Sequence, residues 1–428
     1  MNTLRRRWLT WGGAAGVAAM AGAVGGTWAW PDEGVFNPCL APDTAQWLAH
    51  PGVKEALQGL DMAELWDVHA HLFAVGAPAH LHGPWPEVAT RVQSHFLTNA
   101  SCAALDTGHT SDPGDPNSPT NAYLIPLLQR LQALPAGLKL VLLAMDSYHD
   151  EQGKLQPEMT HFEVPNALCL QAAQRWPDRL EWAASIHPYR ADAAQAVVQA
   201  KAQGARAIKW IPAAQGINPA SVLCTPMYRA MAQHGLPLIT HGGDERATAG
   251  DDALGNPLLL RHALAEGVRV IVAHCATMGE GLDLDAGKNG PARSNFLLFQ
   301  RMMNEPRHVN LLMGDLSAIG QLARTGPDLA TLLRMAAKGA PWQHRLLYGS
   351  DYPIPALMPL YSSQRLADMG FLEARWVPLL QTLRRHNAWL FDLVMKRVLR
   401  WQGQGFAADV FATRGRLLGT QLGTQPAA

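Results

Sequence analysis

Short apolar segments recur along most of the chain, each followed by a polar loop and then by a helical pattern. The eight segments predicted to be strands are residues 65–68, 138–144, 180–186, 205–211, 237–240, 268–273, 309–313 and 346–348. They are almost continuously apolar, which is typical of parallel strands buried on both faces. Eight strand–helix units within residues 61–398 predict an α/β fold of the (β/α)8 TIM-barrel type, with a doubly wound open sheet as the alternative.

The segments that flank this barrel are predicted to be a lead-in over residues 31–60 and a C-terminal tail over residues 399–428. The last helical pattern of the barrel predicts one helix from residue 374 to about residue 396.

The first 30 residues have the composition of an export signal rather than of a folded segment. Arg5, Arg6 and Arg7 precede an uncharged, Gly- and Ala-rich stretch over residues 11–30. The pattern resembles the twin-arginine export signal, although Leu4 stands where Ser or Thr is usual. The alternative is a retained membrane anchor, since 20 uncharged residues can just span a bilayer. We therefore expect a periplasmic or exported protein that meets the export machinery through its N-terminus.

Charge and cysteine content limit the classes of partner. Of the 428 residues, 35 are Lys or Arg and 35 are Asp or Glu, so the formal net charge is zero. This balance lacks the basic surface that nucleic-acid binding requires, and the expected partner is a small-molecule substrate, with a homo-oligomer as a further option. The five cysteines form no C-x-x-C pair, which predicts one disulfide at most.

Four histidines and one aspartate stand where predicted strands end. His69 and His71 end the first strand, and their spacing of two points both side chains to one face. His241, His274 and Asp351 end the fifth, sixth and eighth strands, where a barrel places its catalytic groups. Each residue alone would be an ordinary core or turn residue. Together they predict a metal site, and imidazole with carboxylate suits Zn, Fe, Mn or Co.

Five motifs in this order resemble the amidohydrolase superfamily, and within it the amidohydrolase-related group that includes decarboxylases of aminocarboxymuconate semialdehyde. They are DVHAH at residues 67–71, IK at 208–209, ITH at 239–241, VAH at 272–274 and YGSDYP at 348–353. The resemblance extends from about residue 61 to about residue 395. It implies a barrel enzyme with a divalent metal, expected to be zinc.

The resemblance also implies a role for each residue. His69, His71 and His241 would bind the metal, with Asp351 as ligand and catalytic proton carrier. His274 would be either a ligand of a second metal or the catalytic group that polarises the substrate. Three roles are open to Lys209: a carboxylated bridge between two metals, a cation that grips an anionic substrate, or a strand-end side chain that reaches solvent. One ion is expected, or two if Lys209 is carboxylated.

Weaker candidates for substrate binding end the other strands. Asp146 and His187 follow the second and third strands, and Asp315 and Ser317 follow the seventh. Each could equally be a loop residue whose hydrogen bonds are satisfied within the protein. Residues 279–285 form either a glycine-containing lid over the site or a loop without a functional role.

The predicted reaction is hydrolysis of an amide, lactone or ester bond in a small substrate. A bound divalent ion lowers the pKa of its water to about 7 and polarises a carbonyl. Asp351 would take the proton of the water, and His274 would stabilise the developing oxyanion. The alternatives are a metal-dependent, non-oxidative decarboxylase of a small carboxylic acid and a non-catalytic periplasmic binding protein. Export favours hydrolysis, because metabolic decarboxylases are usually cytoplasmic, and the full set of metal residues opposes the binding protein.

Replacing Arg5 and Arg6 together with lysine is expected to block export, because the twin-arginine signal is read through that pair. The measurement is the amount of protein in the periplasmic fraction of cells that produce the full chain. An unchanged periplasmic yield would point instead to a general secretory signal or an anchor.

Overall fold

The computed structural model describes residues 32–72, 99–102 and 119–420, and its strands follow the predicted apolar runs. The strands are β1 Trp66–His71, β2 Lys139–Leu143, β3 Leu180–Ala183, β4 Ile208–Trp210, β5 Leu238–His241, β6 Val270–Ala273, β7 Glu280–Leu282, β8 Ala292–Ser294, β9 Leu312–Asp315 and β10 Leu346–Leu347. Except for the β7–β8 hairpin, all of them pair in parallel. The predicted N-terminal export segment lies outside the described residues.

The parallel strands form two ladders, β1-β2-β3 and β10-β9-β6-β5-β4, and hydrogen bonds join the ladders at both ends. Between β3 and β4, Lys209 N donates to Ala184 O over 2.7 Å. Between β10 and β1, Val68 N donates to Tyr348 O over 3.2 Å and His71 N donates to Tyr352 O over 2.8 Å. The eight parallel strands therefore close into a ring. The predicted (β/α)8 barrel is confirmed, and the open sheet is wrong because both of its edges are paired.

Helices alternate with the barrel strands and cover their outer side. They are α1 Thr44–Ala49, α2 Pro51–Leu57, α3 Pro119–Leu131, α4 Asn166–Arg175, α5 Ala193–Ala202, α6 Pro212–Gln215, α7 Thr225–His234, α8 Arg261–Ala265, α9 Asn295–Met303, α10 Pro327–Met335, α11 Ser363–Asp368, α12 Val377–His386, α13 Ala388–Val398 and α14 Arg414–Leu418. In the part of the chain that the structure describes, none of the helices has the length and apolar character needed to cross a bilayer.

Two predicted elements differ from the structure. The final helix is not continuous, because Asn387 has an extended φ of −148° and its side chain accepts from Leu390 N, which ends α12 and starts α13. The seventh barrel strand begins at Leu312 rather than at residue 309, because a 3₁₀ turn over Pro306–His308 precedes it. Residues 279–285 contribute to the β7–β8 hairpin, a structure that neither interpretation of this segment included.

The N-terminal end of the barrel is closed by the C-terminal segment. Inward-facing side chains form one buried cluster, to which α14 adds Leu417. Arg416 donates to Leu346 O over 2.9 Å, and the Thr413 hydroxyl accepts from Trp66 N over 2.7 Å. Because this end is filled, the opposite end, where the strands finish, is the accessible mouth.

The lead-in is fixed to the mouth side of the barrel. Glu33 forms a buried ion pair of 3.1 Å with Arg384, which also donates to carbonyls of the segment that follows β10. A disulfide joins Cys39 to Cys102 across a sequence separation of 63, and the other three cysteines are free and buried. The prediction of one disulfide at most is confirmed.

The double variant Cys39→Ser/Cys102→Ser is expected to lose about 2–4 kcal/mol in the free energy of unfolding, because the unfolded chain is no longer constrained by the cross-link. Chemical denaturation with and without a reductant measures this loss. The reductant should destabilise the wild type to the level of the variant and leave the variant unchanged. Equal stability of wild type and variant under oxidising conditions would contradict the cross-link.

Candidate metal centre

His69, His71 and Asp351 bring one ligand atom each to a common point. Strand β1 presents both imidazoles, and Asp351 follows β10 on the neighbouring position of the ring. Asp351 Oδ1 lies 3.0 Å from His71 Nε2 and 3.5 Å from His69 Nε2. All three ligand atoms lie within 4.8 Å of one another, and the residues His69 and Asp351 are buried.

Asp315 fixes the orientation of His69. Its Oδ2 accepts from His69 Nδ1 over 2.9 Å, which turns Nε2 toward the ligand position. Its Oδ1 accepts from the backbone N–H groups of His274, over 3.1 Å, and Ser317, over 2.9 Å. Burial raises the pKa of Asp315, but the charge and hydrogen bond of His69 outweigh burial and hold it far below the ordinary value. A carboxylate behind a ligating histidine is the usual second layer of a metal site.

Asp351 is held from three sides. Its N–H donates to His69 O over 2.8 Å, and the preceding Ser350 N donates to Asp67 Oδ1 over 2.8 Å. Lys396 donates to Gly349 O over 2.7 Å. Asp351 has a φ of +65°, an unfavourable conformation for this residue that the surrounding hydrogen bonds maintain.

His274 and His241 lie beside these three residues, but neither belongs to the group whose ligand atoms converge within 4.8 Å. The His274 ring lies 5.2 Å from the His69 ring and 5.0 Å from the His241 ring, measured between centroids. His274 Nδ1 donates to Ser317 O over 3.0 Å, so its Nε2 carries the free lone pair. His241 Nε2 lies 3.4 Å from Glu245 Oε2, and its buried Nδ1 has no hydrogen-bond partner among the described residues. Burial holds the pKa of both histidines well below the ordinary value.

Lys209 lies inside the cluster and does not reach solvent. Its side chain, in β4, is 1% exposed, and Nζ lies 3.2 Å from His69 Nε2. Burial lowers the pKa of Lys209 to about 8. The solvent-exposed role is therefore wrong, and the carboxylated and substrate-gripping roles stay open.

Asp146 and His187 are held by protein partners. Asp146 Oδ2 accepts from His187 N over 2.8 Å and from Arg190 over 3.0 Å. His187 Nε2 donates to Gln215 O over 2.9 Å, while Nδ1 accepts from Tyr189 N over 3.3 Å. These contacts occupy both ring nitrogens of His187, so its part in substrate binding stays a prediction without support from its contacts.

Two charged residues of the cluster had no signal in the sequence. Glu245, four residues after His241, has a side chain that is 7% exposed, and burial raises its pKa. Arg324, in the loop after β9, is 6% exposed and donates to Thr277 Oγ1 over 3.3 Å. Burial lowers the pKa of Arg324, while Asp351 and Glu245 act in the opposite direction.

The donor set suits a divalent cation. Imidazole nitrogens and one carboxylate oxygen are ligands for Zn, Mn, Fe and Co, and His69 has the carboxylate partner that such ligands usually carry. The unpartnered Nδ1 of His241 is a buried acceptor or donor that the protein leaves free. Because buried polar atoms are normally paired, this atom is available to a further partner at the site.

A family model described as amidohydrolase matches residues 66–385. Among solved structures, an uncharacterised TIM-barrel protein of Bordetella bronchiseptica is 16% identical, with 77% of this chain and 99% of that chain covered and a TM-score of 0.43. A probable 2-pyrone-4,6-dicarboxylic acid hydrolase of Acinetobacter baumannii is 18% identical, covers 68% and 84%, and has a TM-score of 0.38. A 5-carboxyvanillate decarboxylase of Sphingomonas paucimobilis is 12% identical, covers 76% and 96%, and has a TM-score of 0.37. No curated protein matches the chain.

Replacing Asp315 with Asn is expected to weaken metal binding about 10- to 100-fold, because the amide no longer fixes the tautomer and orientation of His69 as a carboxylate does. Competition with a chelator measures the affinity, and thermal unfolding checks the fold. The exposed Asp178→Asn is the matched control. Unchanged affinity in a folded Asp315→Asn protein would contradict the ligand role of His69.

Proposed function

The chain belongs to the amidohydrolase family, and on that premise we propose that it is a metal-dependent hydrolase that cleaves an amide, lactone or ester bond of a small substrate. The observation that carries the proposal is the convergence of His69, His71 and Asp351 within 4.8 Å at the mouth of the barrel. His241 and either His274 or Lys209 are the further candidate ligands.

A divalent cation bound to these residues, with zinc as our first expectation, would polarise a substrate carbonyl and lower the pKa of a bound water. One ion is proposed, or two if Lys209 is carboxylated. Metal analysis of the purified protein distinguishes the two cases.

Asp351 is the proposed proton carrier. Burial raises its pKa, but the hydrogen bond from His71 and the neighbouring histidines hold it well below the ordinary value, so the carboxylate is ionised at neutral pH. It can accept the proton of the attacking water and deliver it to the leaving group. In the reaction, the water oxygen bonds to the carbonyl carbon, and the bond from that carbon to nitrogen or oxygen breaks.

The hydrogen bonds of His274 favour a role as ligand or acceptor. Because Nδ1 donates to Ser317 O, a neutral His274 presents a lone pair rather than a proton to the substrate. Lys209 is the neighbouring cation that can donate to a developing oxyanion.

The disulfide between Cys39 and Cys102 supports the proposal that the protein is exported, because disulfides persist mainly in oxidising compartments. An exported position in turn favours hydrolysis. The second candidate, non-oxidative decarboxylation, is supported by the two buried cations Lys209 and Arg324, since both suit a substrate carboxylate.

The experiment that tests the proposal is turnover of lactones, esters, amides and carboxylic acids by the metal-loaded protein. We expect a hydrolytic product to form. Its formation should stop when a chelator removes the metal and should resume when the metal is added back. Release of carbon dioxide would select the decarboxylase instead. A metal-loaded protein without turnover of any compound would support the non-catalytic binding protein.

Replacing Asp351 with Asn is expected to lower turnover by at least about 10²–10⁴-fold, because the amide cannot accept the proton of the water. Metal content and thermal unfolding are measured on the same sample. Loss of activity with the metal retained is the expected result. Full activity with the metal retained would show that Asp351 is only a turn residue, and loss of metal would make it chiefly a ligand.

A further inference from the structure

Arg324 is a buried cation without an anionic partner. The only hydrogen bond of its guanidinium to a described residue is the one to Thr277 Oγ1, and its Nε has no partner among these residues. No described carboxylate forms an ion pair with it. Buried guanidinium groups are normally paired, because an uncompensated charge in a dry site is costly.

Glu245 carries a buried carboxyl group in the same part of the mouth. Its Oε1 accepts from Ala247 N over 2.6 Å, and its Oε2 lies 3.4 Å from His241 Nε2. No lysine or arginine of the described chain forms an ion pair with it. Its negative environment is strengthened by Asp252, whose Oδ1 accepts from Glu245 N over 2.8 Å.

The topology places the two charges side by side at the mouth. Glu245 follows β5, Thr277 follows β6, and Arg324 follows β9, and these three strands are adjacent in the ring. The charges of both Asp351 and Glu245 act on Arg324. The mouth therefore holds a guanidinium without an acidic partner and a carboxyl group without a Lys or Arg partner among the described residues.

We propose that the substrate is a zwitterion, a small amide with one free carboxylate that pairs with Arg324 and one free ammonium that pairs with Glu245. This inference rests on the proposed hydrolase function. The compound class is that of an unblocked dipeptide or a similar amino-acyl amide. The scissile amide lies between the two charged ends, beside Asp351.

A zwitterionic substrate supplies an oppositely charged partner to both Arg324 and Glu245, whereas a purely anionic substrate supplies one only to Arg324. An anion would pair with Arg324 and Lys209 but would be repelled by Glu245 and Asp252. Binding of the zwitterion gives each of these two buried groups an oppositely charged partner. In the reaction, water adds its oxygen to the carbonyl carbon, the C–N bond breaks, and the amine leaves with the proton that Asp351 took from water.

The test compares four forms of one compound on the metal-loaded full chain: alanyl-alanine, its N-acetyl form, its C-terminal amide, and the form blocked at both ends. Each block is expected to lower kcat/KM about 10- to 100-fold, the range for a charged hydrogen bond in a buried site. Equal or faster hydrolysis of the N-acetyl form would overturn the ammonium site. Equal or faster hydrolysis of the amide would overturn the carboxylate site.

Two variants assign each end of the substrate to its residue. Glu245→Gln should lower kcat/KM for alanyl-alanine about 10- to 100-fold and leave the N-acetyl form nearly unchanged. Arg324→Gln should lower kcat/KM for alanyl-alanine by the same factor and leave that for the C-terminal amide nearly unchanged. The exposed Glu280→Gln and Arg293→Gln are the matched controls. Metal content is measured for every variant, since Glu245 adjoins His241. A variant whose kcat/KM falls equally for blocked and unblocked compounds contradicts the assignment.

The outcomes separate this inference from the proposed function. Hydrolysis of lactones, esters or anionic amides without hydrolysis of alanyl-alanine would overturn the zwitterion and leave the hydrolase standing. Absence of hydrolysis across the whole panel by the metal-loaded protein would overturn both.

Discussion

The hydrogen bonds that join β1 to the segment after β10 are the interaction on which the site depends. They involve the candidate metal-binding residues themselves, since Asp351 N donates to His69 O and His71 N donates to Tyr352 O. Closure of the barrel and assembly of the three-residue cluster are therefore one event. His71 and Asp351 are 280 residues apart in sequence, so this contact carries a large entropy cost that only the complete ring of strands offsets.

Two buried carboxylates stabilise the ligand-bearing strand ends. Asp67 accepts from His69 N over 3.1 Å, from Ser350 N and from Trp389 Nε1 over 2.9 Å, and so links β1, the end of β10 and α13. Asp315 links β1, β6 and β9 in the same manner. Such networks fix positions more than they add net stability, because removal of one partner leaves a buried charge unpaired.

The parts of the site that follow apolar strands were predictable, and the parts in loops were not. Strand periodicity locates the strand ends, and histidines or an aspartate at those ends are visible in the sequence. Arg324 comes nine residues after the end of β9, in a loop without any periodic pattern, and only the packed structure shows that it is buried and contacts Thr277. The prediction of a single final helix was wrong because the cap at Asn387 interrupts a helical pattern that otherwise continues.

The sequence by itself determined the barrel, its family and the three residues of the candidate metal site, His69, His71 and Asp351, because parallel buried strands have a distinct apolar pattern and a barrel gathers their ends at one mouth. Tertiary structure alone decided which nitrogen of His274 is free, that Lys209 is buried, and that among the described residues Glu245 has no Lys or Arg partner and Arg324 no acidic one. These properties depend on hydrogen bonds and burial between residues far apart in the chain, and no local pattern encodes such contacts.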